Sequence, residues 1–366
     1  MPDCDMHGFI ECYVTYWIWR TVPIILLVVG TCGNILNITI LLRRRLRKYS
    51  TSVYLMCLAV ADLTFLWTSA FPATYYKLTG VILSHRLALL CKTQAWINHA
   101  SVGVSMWLLV IMTIERLIMS RSLVIARTKI TPRNAIKVSS VLIFICSAFP
   151  FYQIFHYEIR LVELPLADNS RVEVQRCTTV SDSFVYFQIY IWPFIVLFGL
   201  NIIPIVVIII GNIGILISFI KQKKQLMKVN TVTSVDSAVS TVKLRRNRKP
   251  LAKMLIFVSS FCVVTTLPLM LYNCFWYTID ISTPRALERR FLVDTVLIQL
   301  VYCNYTFNFF LYFVSGTLFK REWNDFVGEI LSKIFPRKRS HGTSGTAVAI
   351  ATLVSEARSD FHNQTS

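Results

Sequence analysis

The stretch CKTQAWINHASVGVSMWLLVIMTIERL, residues 91–117, decides how this chain folds. It opens on Cys91, crosses twenty-two residues (Thr93 to Ile114) without a formally charged side chain, and closes on Glu115-Arg116-Leu117. As a helix it is about 37 Å long at about 1.5 Å per residue, enough to cross a bilayer core of about 30 Å with a turn to spare. A Glu-Arg pair at a helix end is ordinarily a solvated cap. Here it closes an apolar span whose opposite end carries a cysteine.

Composition points the same way. Of 366 residues, 55% are hydrophobic and 16% charged, and the mean hydropathy is +0.56. A soluble chain carries about 25% charge and breaks its apolar runs often. Six further runs are long enough to span: Thr21 to Leu42, Tyr49 to Tyr76 (charged only at Asp62), Val138 to Tyr157, Ser183 to Ile220, Met254 to Ile279 and Thr295 to Phe319. Each reaches the roughly 20 residues that a membrane helix needs. The fifth is about twice that length, so its start is expected in a loop. Buried helices of a soluble core are the competing reading, and seven such runs disfavour it.

Basic residues orient the bundle. They cluster after the first run (Arg43, Arg44, Arg45, Arg47, Lys48), the third (Arg121 to Lys137), the fifth (Lys221 to Lys228, then Lys243 to Lys253) and the seventh (Lys320 to Arg339). The positive-inside rule makes these regions cytoplasmic and the N-terminus extracellular. The net charge of +19 is then a topology signal, with no nucleic-acid module to invoke. Residues 1–20 read as an extracellular N-terminus without a cleavable signal peptide, 21–316 as the membrane domain, 317–332 as a short amphipathic helix, and 333–366 as a polar cytoplasmic tail expected to be disordered, like Asn230 to Thr241.

Single residues inside the spans carry the chemistry. Asp62 is costly to bury in a bilayer, and an intramembrane carboxylate is a functional hypothesis by default. Pro72, Pro150, Pro204 and Pro268 each remove a backbone hydrogen bond from an apolar span and are expected to kink it. Cys177 stands in the loop between the fourth and fifth runs and can reach the outer mouth of the third. Cys32, Cys57, Cys146, Cys262 and Cys303 lie inside spans and read as small apolar residues. Cys4, Cys12 and Cys274 leave a second outer bridge open.

These features together resemble a rhodopsin-like (class A) G-protein-coupled receptor, an all-α bundle of seven membrane helices with a short eighth. The residues that carry the resemblance are Gly33-Asn34, Leu58-Ala59-Val60-Ala61-Asp62-Leu63, Cys91, Glu115-Arg116, Pro204, Pro268, Asn308 and Tyr312. The resemblance implies a Cys91–Cys177 disulfide. It implies an activation set of Glu115, Arg116, Val124, Pro268, Asn308 and Tyr312, with Arg116 pairing with Glu115 at rest. It also implies a polar core in which Asp62 faces Asn34, Ser105, Asn304 and Asn308, with Asp62 and Ser105 as ligands of an allosteric sodium ion, the only cofactor expected. A heterotrimeric G protein and arrestin are the implied cytoplasmic partners, and the plasma membrane the location. The chain departs from the family pattern in places: Thr265-Thr266-Leu267-Pro268 lacks the sixth-helix tryptophan, Asn308-Phe309-Phe310-Leu311-Tyr312 lacks the seventh-helix proline, and Asn212 stands where a fifth-helix tyrosine is expected. The region Arg245-Arg246-Asn247-Arg248-Lys249 lacks the usual acidic partner for Arg116.

The ligand class follows from the outer mouth. Amine receptors of this family place an aspartate seven residues after the third-helix cysteine, and here that position is Asn98, followed by His99. Tyr76, Trp96, Asn98, His99, Asn273, Trp276, Asp294 and Tyr302 offer aromatics and charge suited to an extracellular peptide, and the look is similar to invertebrate neuropeptide receptors. A non-peptide small molecule is the alternative ligand. A transporter is disfavoured by the lack of internal repeats, and an opsin by the lack of a lysine from Asp294 to Phe319. No hydrolase or metal motif is present, so an enzyme is not expected.

Overall fold

The computed structural model describes residues 9–122, 125, 128–165, 171–229, 236–274 and 283–334, with side chains at 163–165, 171, 172, 182, 222–229 and 236–253 left out. Val124, Trp276, Cys4 and the tail from 335 therefore lie outside the described residues. Nine helices and one hairpin follow in order among them. Helix α1 spans Ile10–Leu41, α2 Ser50–Thr79, α3 Ala88–Arg121 and α4 Pro132–His156. Strands β1 (Tyr157–Pro165) and β2 (Arg171–Thr179) pair antiparallel, with Ile159 opposite Cys177. Then come α5 (Ser183–Lys221), α6 (Asp236–Cys274), α7 (Pro284–Thr306), α8 (Asn308–Ser315) and α9 (Thr317–Ile334).

Helices α1 to α5 and the Met254–Cys274 part of α6 are each long and apolar enough to cross a bilayer, and α7 with α8 forms a seventh span bent by 55°. Large apolar side chains point outward along them, including Phe144 (73% exposed), Ile210 (63%) and Val264 (68%). Such belts have no place in water and are solvated by lipid tails. The chain is a multi-pass membrane protein.

Several boundaries differ from expectation, the seventh span among them, which starts at Pro284 rather than Thr295. The first helix starts at Ile10 rather than near Thr21, because its outer turns are held by α7: Glu11 pairs with Arg285 (3.2 Å) and Arg289 (3.1 Å), and Trp19 Nε1 donates to Thr295 Oγ1 (3.0 Å). The start of the fifth run belongs to α5 and not to a loop, since winding begins at its first residues. Asp236 to Thr241, expected to be disordered, is the first part of α6.

The long helices are wound around their prolines. Among the described residues three π turns occur, at Leu66–Ala70, Phe187–Ile191 and Val196–Ile202. Each ends two residues before a proline: Pro72, Pro193 and Pro204. A proline has no N–H for the carbonyl four residues earlier, and that carbonyl falls inside the π turn in every case. The wider turn lets a later N–H take over, so the helix continues through apolar surroundings. Close approach elsewhere is set by small residues. A Cβ on Gly30 would lie 2.6 Å from Leu66 Cδ1, and one on Gly211 would lie 2.5 Å from Thr113 Cγ2, so α1 meets α2, and α5 meets α3, at distances only glycine permits.

A disulfide between Cys91 and Cys177 pins the hairpin to the start of α3. Cys12 is also in a disulfide, whereas Cys274 is a free thiol. The Cys91–Cys177 bond closes a loop with a sequence separation of 86, for which the chain-entropy argument gives about 4–5 kcal/mol. We expect Cys91→Ala and Cys177→Ala each to lower the melting temperature and surface expression, with the double variant no worse than either single one. A double variant with summed losses would show that the two cysteines act separately.

Candidate functional site

The polar residues of the spans fall into three layers. The middle one surrounds Asp62 on α2, which is fully buried. Ser105 Oγ of α3 donates to Asp62 Oδ1 (3.0 Å), and Asn308 Nδ2 at the start of α8 donates to Oδ2 (2.6 Å). Asn304 is buried one turn before Asn308. Asn34 does not join Asp62 directly. Its Nδ2 donates to the carbonyls of Gly30 (3.0 Å) and Tyr305 (2.9 Å), leaving Oδ1 without a partner. Asn34 therefore ties α1 to α7, while Asp62 ties α2 to α3 and α8. Thr306 Oγ1 donates to Leu26 O (3.2 Å). The 55° bend at Phe307 thus sits between two side chains drawn to different helices, Thr306 to α1 and Asn308 to α2. This is how the span bends without the missing proline.

The layer at the Arg116 end is built on α2 and α3. Arg116 is 4% exposed, and its Nη1 lies 3.3 Å from Met119 Sδ. Glu115 accepts from Tyr54 Oη (2.6 Å) and Ser50 Oγ (3.1 Å). The acid is thus held by α2, with the charge of Arg116 also acting on it. Adjacent residues of a helix point about 100° apart, and Glu115 faces the α2 hydroxyls. Tyr312 is buried with its ring edge on Phe319, centroids 5.9 Å apart. Pro268 sits within α6, two residues after Thr266, whose Oγ1 donates to Cys262 O (2.6 Å).

Two contacts of this layer went unnoticed in the sequence. Asn212 Nδ2 donates to Ser259 Oγ (2.8 Å), joining α5 to α6 at the position of the missing tyrosine. Glu322, 3% exposed on α9, holds Arg43 (3.0 Å) and Arg45 (3.3 Å) from the turn after α1. The signal for the second was an acid set directly after Lys320-Arg321 in an amphipathic stretch.

The layer at the Cys91 end separates the expected ligand residues into corners. Lys77 Nζ lies over the rings of Trp19 (5.6 Å) and Tyr76 (5.8 Å), and half-buried Asp294 feels the charges of Arg290 and Lys77. That corner, between α1, α2 and α7, gathers Tyr76 and Asp294. A second corner, between α3, α4 and α5, holds His99. Trp192 Nε1, which can only donate, points at His99 Nε2 (3.2 Å), so the Nδ1 of His99 carries the proton and donates to Ala95 O (2.8 Å). Tyr152, Phe149 and Phe187 pack on Trp192, an aromatic cluster that only contacts between distant segments reveal. Trp96 faces outward to α4, donating to Ser147 O (2.7 Å) with its ring edge on Phe151. Tyr302 is buried deeper, edge-on to Phe65. Asn273 is exposed at the end of α6, and Asn98 Oδ1 is buried without a hydrogen-bond partner.

Replacing Tyr54 by Phe leaves the Glu115 Oε1 acceptor without its donor. Loss of one partner of a buried polar pair costs about 1–3 kcal/mol. We expect Tyr54→Phe to melt several degrees below the wild type in detergent, and Ser50→Ala, at the longer bond, to melt less far below. Equal melting of Tyr54→Phe and wild type would deny this contact its weight.

Comparison with known proteins agrees with this arrangement. The family model described as 7 transmembrane receptor (rhodopsin family) matches residues 33–312. The C-C chemokine receptor type 3 of Macaca mulatta is 31% identical over 88 residues, 24% of each chain. Human galanin receptor type 2 is 32% identical over 113 residues, 31% of this chain and 28% of that receptor. A probable G-protein coupled receptor of Caenorhabditis elegans is 28% identical over 207 residues, 55% of this chain and 46% of its own length. Each match thus spans less than half of the relative. The match to the family model instead runs from Gly33, beside Asn34 in α1, to Tyr312 in α8, through every residue of the buried polar layer, and the chain belongs to the rhodopsin family of seven-transmembrane receptors, which are signalling receptors and not enzymes.

Proposed function

We propose that this receptor lies in the plasma membrane with its Cys91 end outside the cell, is activated there by a peptide, and signals through a heterotrimeric G protein. The observation that carries the ligand reading is the charge pattern of the mouth. The position of an amine-binding carboxylate holds Asn98, with an unpartnered buried Oδ1, while the α1–α2–α7 corner sets Asp294 beside Lys77 and Arg290. A single ammonium finds no dedicated acid on α3. A peptide finds an acid for a basic side chain, cations for an acidic group, and Tyr76 for an apolar one. The names of the chemokine and galanin relatives support a peptide, since both describe receptors for peptides or small proteins.

At the other end, buried Arg116 is the group that a G-protein helix meets once α6 moves aside, and arrestin shares that face. In the middle layer, Asp62 is a fully buried carboxylate with no cationic side chain bonded to it among the described residues. Carboxylate, hydroxyl and amide oxygens from Asp62, Ser105 and Asn304 are a donor set of the kind a hard cation takes, and these residues would hold sodium. Sodium bound there supplies positive charge that favours the resting arrangement of α2, α3 and α8.

The test is a screen of neuropeptides and biogenic amines on cells expressing the receptor. We expect a peptide to activate and amines to fail, with Asp294→Ala weakening a basic peptide at least tenfold, or about 1.4 kcal/mol. Activation by an amine at low concentration, with every peptide silent, overturns the ligand reading. Arg116→Ala at equal surface expression is expected to abolish G-protein activation, and wild-type signalling from it would remove that role. For the ion, added sodium should weaken agonist affinity in the wild type and leave Asp62→Asn unaffected. Agonist binding that ignores sodium in both proteins would remove the site.

A further inference from the structure

Outside the helix bundle, a second cavity opens between the α2–α3 loop and the β hairpin. It measures about 540 Å³ and is lined by Tyr76, His85, Arg86, Leu161, Glu173 and Arg176, among others. The disulfide at Cys177, next to Arg176, holds the hairpin against α3 and so fixes the two walls. Arg176 stands directly opposite Arg160 in the ladder, a like-charge pair that a two-stranded sheet does not favour. Arg160 resolves it by turning to Glu158. Arg176 and Arg86 are exposed and have no ion-pair partner among the described residues, and Glu173 is the only acid on the wall.

We propose that this cavity is an anion subsite that takes an acidic side chain of the peptide ligand, held by Arg86 and Arg176 with His85 on the same lining. The proposal rests on the peptide reading above and extends it to a place outside the bundle. Two arginines lining one concave wall offer fork-shaped donors for a carboxylate. The apolar wall favours a peptide over an extended polyanion: Val81, Ile82, Leu161 and Val174 share the lining and would cover residues flanking the acid. His85 reports on the site. Burial pushes its imidazole below its ordinary value, and the charges of Arg176 and Arg86 push it further down. An anion seated between the arginines stabilises the imidazolium and moves the titration back up.

The experiment uses the full-length receptor in nanodiscs with labelled histidine, the His85 resonance assigned through His85→Gln. The probe is acetyl-Leu-Glu-Leu-amide, against its glutamine isostere and a heparin tetrasaccharide. We expect the acidic tripeptide to raise the His85 midpoint saturably by about one pH unit, the isostere to leave it in place, and Arg86→Gln/Arg176→Gln to abolish the response. Both arginines are exposed, so the variant keeps its fold. No movement, equal movement with the isostere or in the double variant, or movement with the tetrasaccharide alone overturns the proposal. None of these readouts requires activation, so an activating peptide in the screen with a silent His85 would sink this subsite and leave the peptide reading standing.

Discussion

A carboxylate without water around it must be met by donors, and Asp62 imposes that condition on the middle of the bundle. Leaving such a group uncompensated costs several kcal/mol. The chain answers with Ser105 from α3 and Asn308 from α8, at 3.0 and 2.6 Å. Each donor fixes a helix. Asn308 can reach Asp62 only if the seventh span turns before it, and the 55° bend at Phe307 supplies that turn. Asn34 completes the arrangement from α1 by donating to Tyr305 O, just ahead of the bend. Asp62 thus relates α2 to α3 and α8, and Asn34 relates α1 to α7.

The same economy of backbone partners governs the helices. Prolines 72, 193 and 204 would each strand a carbonyl in lipid or packed protein, and the π turn ahead of each supplies a later N–H. Glycines then let the helices close up: Gly30 admits Leu66, and Gly211 admits Thr113. The result is a bundle whose strongest polar ties lie inside it and whose outward faces are apolar.

The two ends are held differently. At the Cys91 end a covalent bond anchors the hairpin, and ion pairs of Glu11 with Arg285 and Arg289 hold α1 against α7. At the Arg116 end the ties described are non-covalent: Tyr54 and Ser50 on Glu115, Asn212 on Ser259, and the ion pairs of Glu322 with Arg43 and Arg45. Non-covalent ties of this size, about 1 kcal/mol net each, are broken by a binding event far more readily than a disulfide. The Cys91 end is therefore the more firmly framed of the two. Asn212 with Ser259, and the proline-free bend, show that departures from the family pattern are met by other polar contacts rather than left empty.

The sequence by itself determined the seven spans, the buried position of Asp62 and the Cys91–Cys177 bond implied by resemblance, because apolar length and isolated polar residues are local properties read along one chain. Trp192 on His99, Tyr54 on Glu115, the outward turn of Trp96 toward Ser147 and the arginines gathered around His85 were decided by the tertiary structure. Each depends on the rotation of one helix or strand about its axis relative to another. A rotation of about 100° per residue moves a side chain from the mouth to the lipid face, and in a run that is apolar on every side no periodicity marks which face turns inward.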